Sequence, residues 1–196
     1  QVQVCVVGLG VAGFAATDAL INLNAKVVVI DAASGDSQKE RATILEILGA
    51  EIRMGDDTQL PDDIDYVWHL ACYHGNQSSI ADPIADHENN NVTSLRLFDY
   101  LSTRKNISKV VYAAAGCAVA EKTYGDAAAT DEDAPVSLFH DSPYSISKLV
   151  GEMYGNYYFR QHDLPFVRAR FQNVYGPREI LGAGEWRGTP ATVWRN

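Results

Sequence analysis

Three observations in this 196-residue sequence predict a doubly wound parallel α/β sheet. Residues 4–31 (VCVVGLGVAGFAATDALINLNAKVVVID) set an apolar run, a glycine-rich turn, a helical stretch and a second apolar run in succession. Further strand-like runs recur at 51–54, 66–71, 109–115 and 165–171. Helix-period stretches lie between most of them. Strands alternating with helices at this spacing make a parallel sheet covered on both faces, with expected strand order 3-2-1-4-5-6.

The first unit assigns a physical task to each of its parts. Val4, Cys5, Val6 and Val7 read as a buried strand. Gly8, Gly10 and Gly13 follow in G-x-G-x-x-G spacing. Gly8 allows a tight turn, Gly10 lets a pyrophosphate approach the backbone, and Gly13 lets the helix lie close to the strand. Val11 and Ala12 open that helix, whose N–H groups and positive dipole end suit phosphates. Its buried face is expected to carry Phe14, Ala15, Ala19, Leu20 and Leu23. The second strand, 27–30, ends on Asp31, eighteen residues after Gly13, where a carboxylate can accept from a ribose hydroxyl. The set is a Rossmann βαβ unit. With no Arg in the next several residues, Asp31 favours a free 2′-hydroxyl, hence NAD over NADP, the alternative being a cap on the following loop.

The remaining elements follow in order. Residues 37–48 read as a helix with Ile44, Leu45, Ile47 and Leu48 apolar and Gly49 just past its end. A short strand at 51–54 leads to Gly55-Asp56-Asp57, where the two carboxylates suit either an adenine contact or a turn. Residues 66–71 are the fourth strand and 73–87 are polar and read as irregular. A helix is expected over 88–104, a fifth strand over 109–115 and an acidic loop over 121–142. Ser142-Pro143 opens a helix to about residue 161, and the sixth strand spans 165–171.

Bulk composition narrows the function classes. The formal charge is −9 and no Lys/Arg cluster occurs, which argues against nucleic acid or an anionic membrane as partner. Three cysteines, Cys5, Cys72 and Cys117, imply no disulfide framework and suit a reducing cytoplasm. No leader and no apolar run of membrane-spanning length is read. The histidines lack ligand spacing, so no metal site is expected.

Four later motifs carry a family likeness. They are His69-Leu70-Ala71, Asn91, Ser142-Pro143-Tyr144-Ser145-Ile146-Ser147-Lys148, and the run from Arg170 through Asn173-Val174-Tyr175-Gly176-Pro177 to Arg178. From about Asp65 onward the chain resembles the extended short-chain dehydrogenase/reductases, the NAD-dependent sugar-nucleotide epimerase/dehydratase family. The first stretch differs: that family's usual loop is G-x-x-G-x-x-G, and Val11 stands where it has a glycine. Residues 1–64, with GLGVAGFAATDAL, VVVIDAASG and LEILGAEIRMGDD, look more like the N-terminal domain of MurD-type Mur ligases. A chimera joined near 61–69 is therefore one expectation, and a divergent epimerase the other.

The first resemblance implies roles. Tyr144 would be the acid/base and Lys148 would hold the nicotinamide ribose, the two lying four apart on one helix face. Leu70, Ala71 and Asn91 would line the cofactor, and Asn173 and Arg178 would meet a nucleotide-sugar substrate. The helices 88–104 and 143–161 would pair across a twofold axis into a homodimer, with Leu95, Phe98, Met153, Tyr154 and Tyr157 on the apolar face. The family's Ser or Thr after the fifth strand falls on Gly116, with no hydroxyl over 113–118. Cys117 could act there as a weak acid or be a small core residue. Residues 1–178 are expected to form the NAD(P)-binding domain and 179–196 the start of an incomplete substrate lobe. The expected function is an NAD-dependent nucleotide-sugar epimerase or reductase, truncated or hybrid. The alternatives are a non-catalytic chimeric scaffold and a UDP-sugar-binding domain of Mur-ligase type.

Overall fold

The computed structural model describes residues 1–32, 35–55, 59–73, 75–119, 131–136, 138–171 and 174. Their apolar runs form six parallel strands: β1 (Gln3–Val7), β2 (Lys26–Asp31), β3 (Glu51–Met54), β4 (Tyr66–His69), β5 (Lys109–Ala115) and β6 (Phe166–Phe171). They lie in the order β3-β2-β1-β4-β5-β6, as the sequence predicts. β1 pairs with β2 on one side (Val7 opposite Ile30) and with β4 on the other (Val7 opposite His69). The order reverses between these two pairings, so a crevice opens beyond the C-terminal ends of β1 and β4.

Alternation along the strands divides the core in two. Cys5, Val7, Val28, Ile30, Val67, Val110 and Tyr112 share one cluster with Leu97, Phe98 and Leu101. Val6, Val27 and Val29 share the other with Leu9, Ala42 and Leu45. α1 (Val11–Asn22) and α2 (Asp36–Ile47) cover the second face. The first is covered by α5 (Thr93–Ser102) and α6 (Pro143–His162), the latter by way of Tyr158.

Two glycines set how closely α6 lies on the sheet. A Cβ on Gly151 would stand 2.1 Å from the Tyr112 hydroxyl, and one on Gly155 would stand 2.0 Å from the Phe166 ring. Their absence admits an aromatic cluster, with Phe98 edge-on to Phe166 at 5.3 Å and Tyr112 stacked on Phe166 at 6.1 Å. The edge strand β6 is tied to α6 by a charge pair. Buried Glu152 takes two hydrogen bonds from Arg170, at 2.9 and 2.7 Å, and Arg170 also donates to the Glu132 carbonyl at 2.7 Å.

Residues 61–69 are tied to the connection between α5 and β5. Arg104 donates to the Pro61 carbonyl at 2.7 Å, and Asn106 donates to the carbonyls of Asp62 and Ile64 at 2.8 and 2.9 Å. β4 then continues the ladder between β1 and β5.

Several expectations are corrected. Residues 73–87 are not irregular: α3 (Asn76–Ala81) and α4 (Pro83–His87) lie there. α4 runs through a π-helical turn, Glu88–Val92, into α5, so the helix expected at 88–104 starts five residues earlier and carries a bulge. On α1, Gly13 and Thr17 are the buried residues, while Ala15, Ala19 and Leu23 are exposed. Phe98 is wholly buried, so it belongs to the core and not to an outer apolar face.

Substituting Gly155→Ala tests the close approach of α6. Helix propensity alone would favour Ala by about 1 kcal/mol. Crowding against the Phe166 ring should outweigh that and leave a net loss of about 1–3 kcal/mol, read as a lower urea midpoint.

Candidate active site

The glycine loop sits at the crevice and each glycine has a spatial reason. Gly8 turns with φ 111°, and a Cβ there would stand 2.7 Å from the Ala71 nitrogen. A Cβ on Gly13 would stand 1.8 Å from the Gly8 carbonyl oxygen. Among the described residues no atom lies within 4 Å of where a Cβ on Gly10 would be, so its backbone faces open space. Gly10 is also the N-cap of α1 and offers no side-chain acceptor to the first-turn N–H groups of Val11, Ala12 and Gly13. An open glycine in front of an uncapped helix N-terminus fits a pyrophosphate. Leu70 and Ala71 lie against this loop, both donating to the Val7 carbonyl at 2.9 and 2.7 Å.

Asp31 grips the glycine loop itself. Its carboxylate accepts from the Leu9 N–H, while Arg41 donates to the Leu9 carbonyl at 3.4 Å. Leu9 is thus held at both its N–H and its carbonyl, which fixes the backbone leading into Gly10.

The Tyr-Lys pair stands on the first two turns of α6. Ser142 caps this helix, its side chain accepting from the Ser145 N–H, and Pro143 begins it. Ser79, wholly buried on α3, accepts from the Tyr144 N–H at 3.1 Å. Lys148 is 3% exposed. Its Nζ donates to the Ala113 carbonyl at 2.9 Å and lies 5.2 Å from the Tyr112 ring centre and 5.8 Å from that of Tyr144. Burial pushes the Lys148 pKa down, opposed by Cys72, Asp86 and Cys117 nearby. Cys117 is half-buried in a 3₁₀ turn, Gly116–Ala118, at the end of β5.

His69 is 1% exposed and its pKa is pushed down to about 3, chiefly by burial and further by the Lys148 charge. Ser94 donates its hydroxyl hydrogen to the Asn90 carbonyl, so it accepts from His69 Nε2 at 2.8 Å. His69 is thus neutral with the proton on Nε2, a structural residue of the wall and not a base.

Asn91 stands in the π-helical turn with Nδ2 3.2 Å from His87 Nδ1, and among the described residues its buried Oδ1 has no partner. Its neighbour Asn90 makes the links inward. Asn90 accepts from the Tyr73 N–H at 2.8 Å and donates to the Tyr73 carbonyl, Asp86 and Ser147 at 3.0, 2.8 and 3.2 Å. Asn90 and Asp86 were not singled out in the sequence. The Asp82-Pro83 pair, a cap followed by an N1 proline, was the available signal for the helix that carries them. Asp56, Asp57, Asn173, Arg178 and the stretch 179–196 lie outside the described residues. Among the described residues no helix is long and apolar enough to cross a membrane, and no group of three candidate ligands could hold a metal ion.

A glycine loop at a switch point, an acid at the end of β2 and a buried Tyr-Lys helix define a dinucleotide-site protein of the Rossmann class. The sequence matches the model of the NAD dependent epimerase/dehydratase family over residues 4–192, and the chain belongs to that family. It is 30% identical over 176 residues to a putative UDP-glucose 4-epimerase of Methanocaldococcus jannaschii, covering 88% of this chain and 55% of that protein. Its fold resembles the Bordetella bronchiseptica enzyme WbmF, solved with NAD+ and UDP (TM-score 0.74, 46% identity, 100% of this chain and 56% of that one). It also resembles a UDP-glucuronic acid 4-epimerase from Bacillus cereus, solved with UDP-glucuronic acid and NAD (TM-score 0.78, 28% identity, 90% and 58%). The chain thus spans about half the length of the curated relatives it matches. The Mur-ligase likeness recurs as 42% identity over 65 residues to a UDP-N-acetylmuramoylalanine–D-glutamate ligase of Thermobifida fusca, a third of this chain. The family model spans both stretches.

A neutral buried His69 gives an acid-stability prediction. Its folded pKa, about 3, lies below the ordinary 6.5. The stability it confers is therefore present above pH 6.5 and lost as pH falls toward 3, at about 1.4 kcal/mol per unit. Urea midpoints measured between pH 7 and 5 should fall more steeply for the native chain than for His69→Gln. Parallel curves would contradict this assignment.

Proposed function

We propose that residues 1–178 are the nucleotide-binding half of an NAD-dependent UDP-sugar epimerase and that 179–196 begin its substrate lobe. The observation that carries this reading is the buried Lys148, held by the Ala113 carbonyl within 5.8 Å of the Tyr144 ring at the strand ends where the glycine loop also lies. Relatives solved with NAD and UDP-sugars support the same assignment.

In this reading Gly8, Gly10, Val11, Ala12 and Gly13 hold the pyrophosphate by backbone approach and helix-dipole attraction. Asp31 takes the adenosine ribose, which favours NAD over NADP, and Asp56 and Asp57 border the adenine. Leu70, Ala71 and Asn91 line the groove toward the nicotinamide. NAD held there would supply a hydride acceptor and donor for a sugar carbon. Tyr144 accepts the proton of the sugar hydroxyl and gives it back. The Lys148 ammonium favours the phenolate and brings Tyr144 toward the working pH. Lys148 also holds the nicotinamide ribose. Cys117 is the weak acid where a hydroxyl is absent, and Asn173 and Arg178 meet the nucleotide-sugar. The protein works in the cytoplasm as a homodimer through α5 and α6, where Met153 and Tyr157 are each 52% exposed.

A second reading, a nucleotide-binding module with little turnover, is favoured by the run Ala113-Ala114-Ala115-Gly116-Cys117-Ala118, which offers the reacting oxygen no hydroxyl. Losing one such donor costs about 10²-fold or more in other enzymes.

Calorimetric and thermal titrations with NAD, NADP and UDP-glucose separate these readings. NAD at a hundred times its dissociation constant should stabilise the fold by about 2.7 kcal/mol. NADP should bind at least tenfold more weakly, and any interconversion of UDP-glucose and UDP-galactose should vanish in Tyr144→Phe. A melting temperature that rises with UDP-glucose but not with NAD would support the Mur-ligase-type reading instead.

A further inference from the structure

A buried carboxyl is joined by hydrogen bonds to the helical turn that bears the Tyr144–Lys148 pair, and none of the motifs accounts for it. Asp86, on α4, is 1% exposed. Its carboxylate accepts from Asn90 Nδ2 at 2.8 Å. Asn90 also donates at 3.2 Å to the hydroxyl of Ser147, the residue next to Lys148, and that hydroxyl donates to the Tyr144 carbonyl at 3.0 Å. α4 and the π-helical turn both pack on α6, so this cluster joins Asp86 to the turn that bears the pair. Burying an ionisable carboxyl costs free energy unless charge and hydrogen bonds compensate it. Asn90 donates to one of its oxygens but carries no charge.

Lys148 poses the complementary problem. It is nearly as buried, and its hydrogen bond goes to a neutral carbonyl, that of Ala113. Among the described residues no carboxylate is in ion-pair contact with it. The groups facing it are His69 on β4, Cys72 beyond β4, Asp86 on α4, Tyr112 on β5, Cys117 beyond β5 and Tyr144 on α6. His87 faces Asp86 as well. Burial keeps His69 and Tyr112 neutral near pH 7. Asp86 is the one carboxylate in the set.

We propose that Asp86 is a positioning residue acting through Lys148, as the buried negative charge that keeps Lys148 an ammonium beside Tyr144. The proposal rests on the reading of Tyr144 and Lys148 as the reactive pair. Burial moves the Asp86 pKa up and the Lys148 pKa down, and attraction between the two opposes both shifts. An opposite charge nearby favours the charged form of its partner, so each of the two holds the other ionised.

The test is an NMR titration of the full chain without cofactor, with ¹³C at lysine Cε and aspartate Cγ and with Lys148 assigned through Lys148→Met. In Asp86→Asn, the Lys148 pKa should fall by at least about one unit while the other lysines keep theirs. A Lys148 pKa unchanged by Asp86→Asn would overturn the proposal. The native chain gives a second readout that needs no variant: Asp86 must be ionised at pH 7, and its protonation on acidification must move the Lys148 signal. An Asp86 still protonated at pH 7 would equally overturn it. NAD binding is absent from both readouts, so a chain that fails to bind NAD would remove the functional reading while these titrations judge Asp86 separately.

Discussion

The close approach of three backbone segments at Gly8 is the constraint from which the rest of the structure follows. β1 must end, turn and enter α1 while the chain leaving β4 passes alongside. A side chain on Gly8 would meet Ala71, and one on Gly13 would meet the Gly8 carbonyl. Because neither exists, α1 packs down on the sheet with its N-terminus aimed across the crevice. Leu9, bonded at its N–H by Asp31 and at its carbonyl by Arg41, fixes that aim. The loop, the end of β2 and α2 are thereby one mechanical unit.

Charge burial organises the other side of the sheet. Lys148, Asp86 and Glu152 are each 3% exposed or less, and all three sit on or against α6. Glu152 is matched by Arg170 in a two-bond contact, which anchors the edge strand. Lys148 and Asp86 are each held by a neutral hydrogen-bonding group, the Ala113 carbonyl and the Asn90 amide. A contact pair would immobilise the ammonium on the carboxylate. The arrangement here leaves Lys148 on the Ala113 carbonyl, between the Tyr112 and Tyr144 rings.

The sequence disclosed what depends on spacing and hid what depends on polar burial. The glycines at 8, 10 and 13 and the S-P-Y-x-x-x-K run carry their geometry in their order, and both stand where that order implies. Residues 73–87 have no apolar period, because their inward positions are Ser79, Asp86 and then Asn90 in the π-helical turn, all polar and all buried. Hydrophobic patterning is blind to such a helix. The α1 face was misphased for a related reason. Its inward side is Gly13 and Thr17, small enough for close packing, so the larger apolar residues do not mark it. The MurD-like wording of 1–64 recurs as a likeness over 65 residues, and β4 lies between β1 and β5 in the one sheet.

The central claim is that the glycine loop and the Tyr144–Lys148 pair serve one site spanning the crevice. Amide chemical-shift mapping of the chain with NAD tests this most directly. The account predicts perturbations in one connected set: residues 8–13, Asp31, 70–72, 113–117 and 144–148. Perturbations confined to residues 8–13 and Asp31, with 113–117 and 144–148 unmoved at saturation, would contradict it.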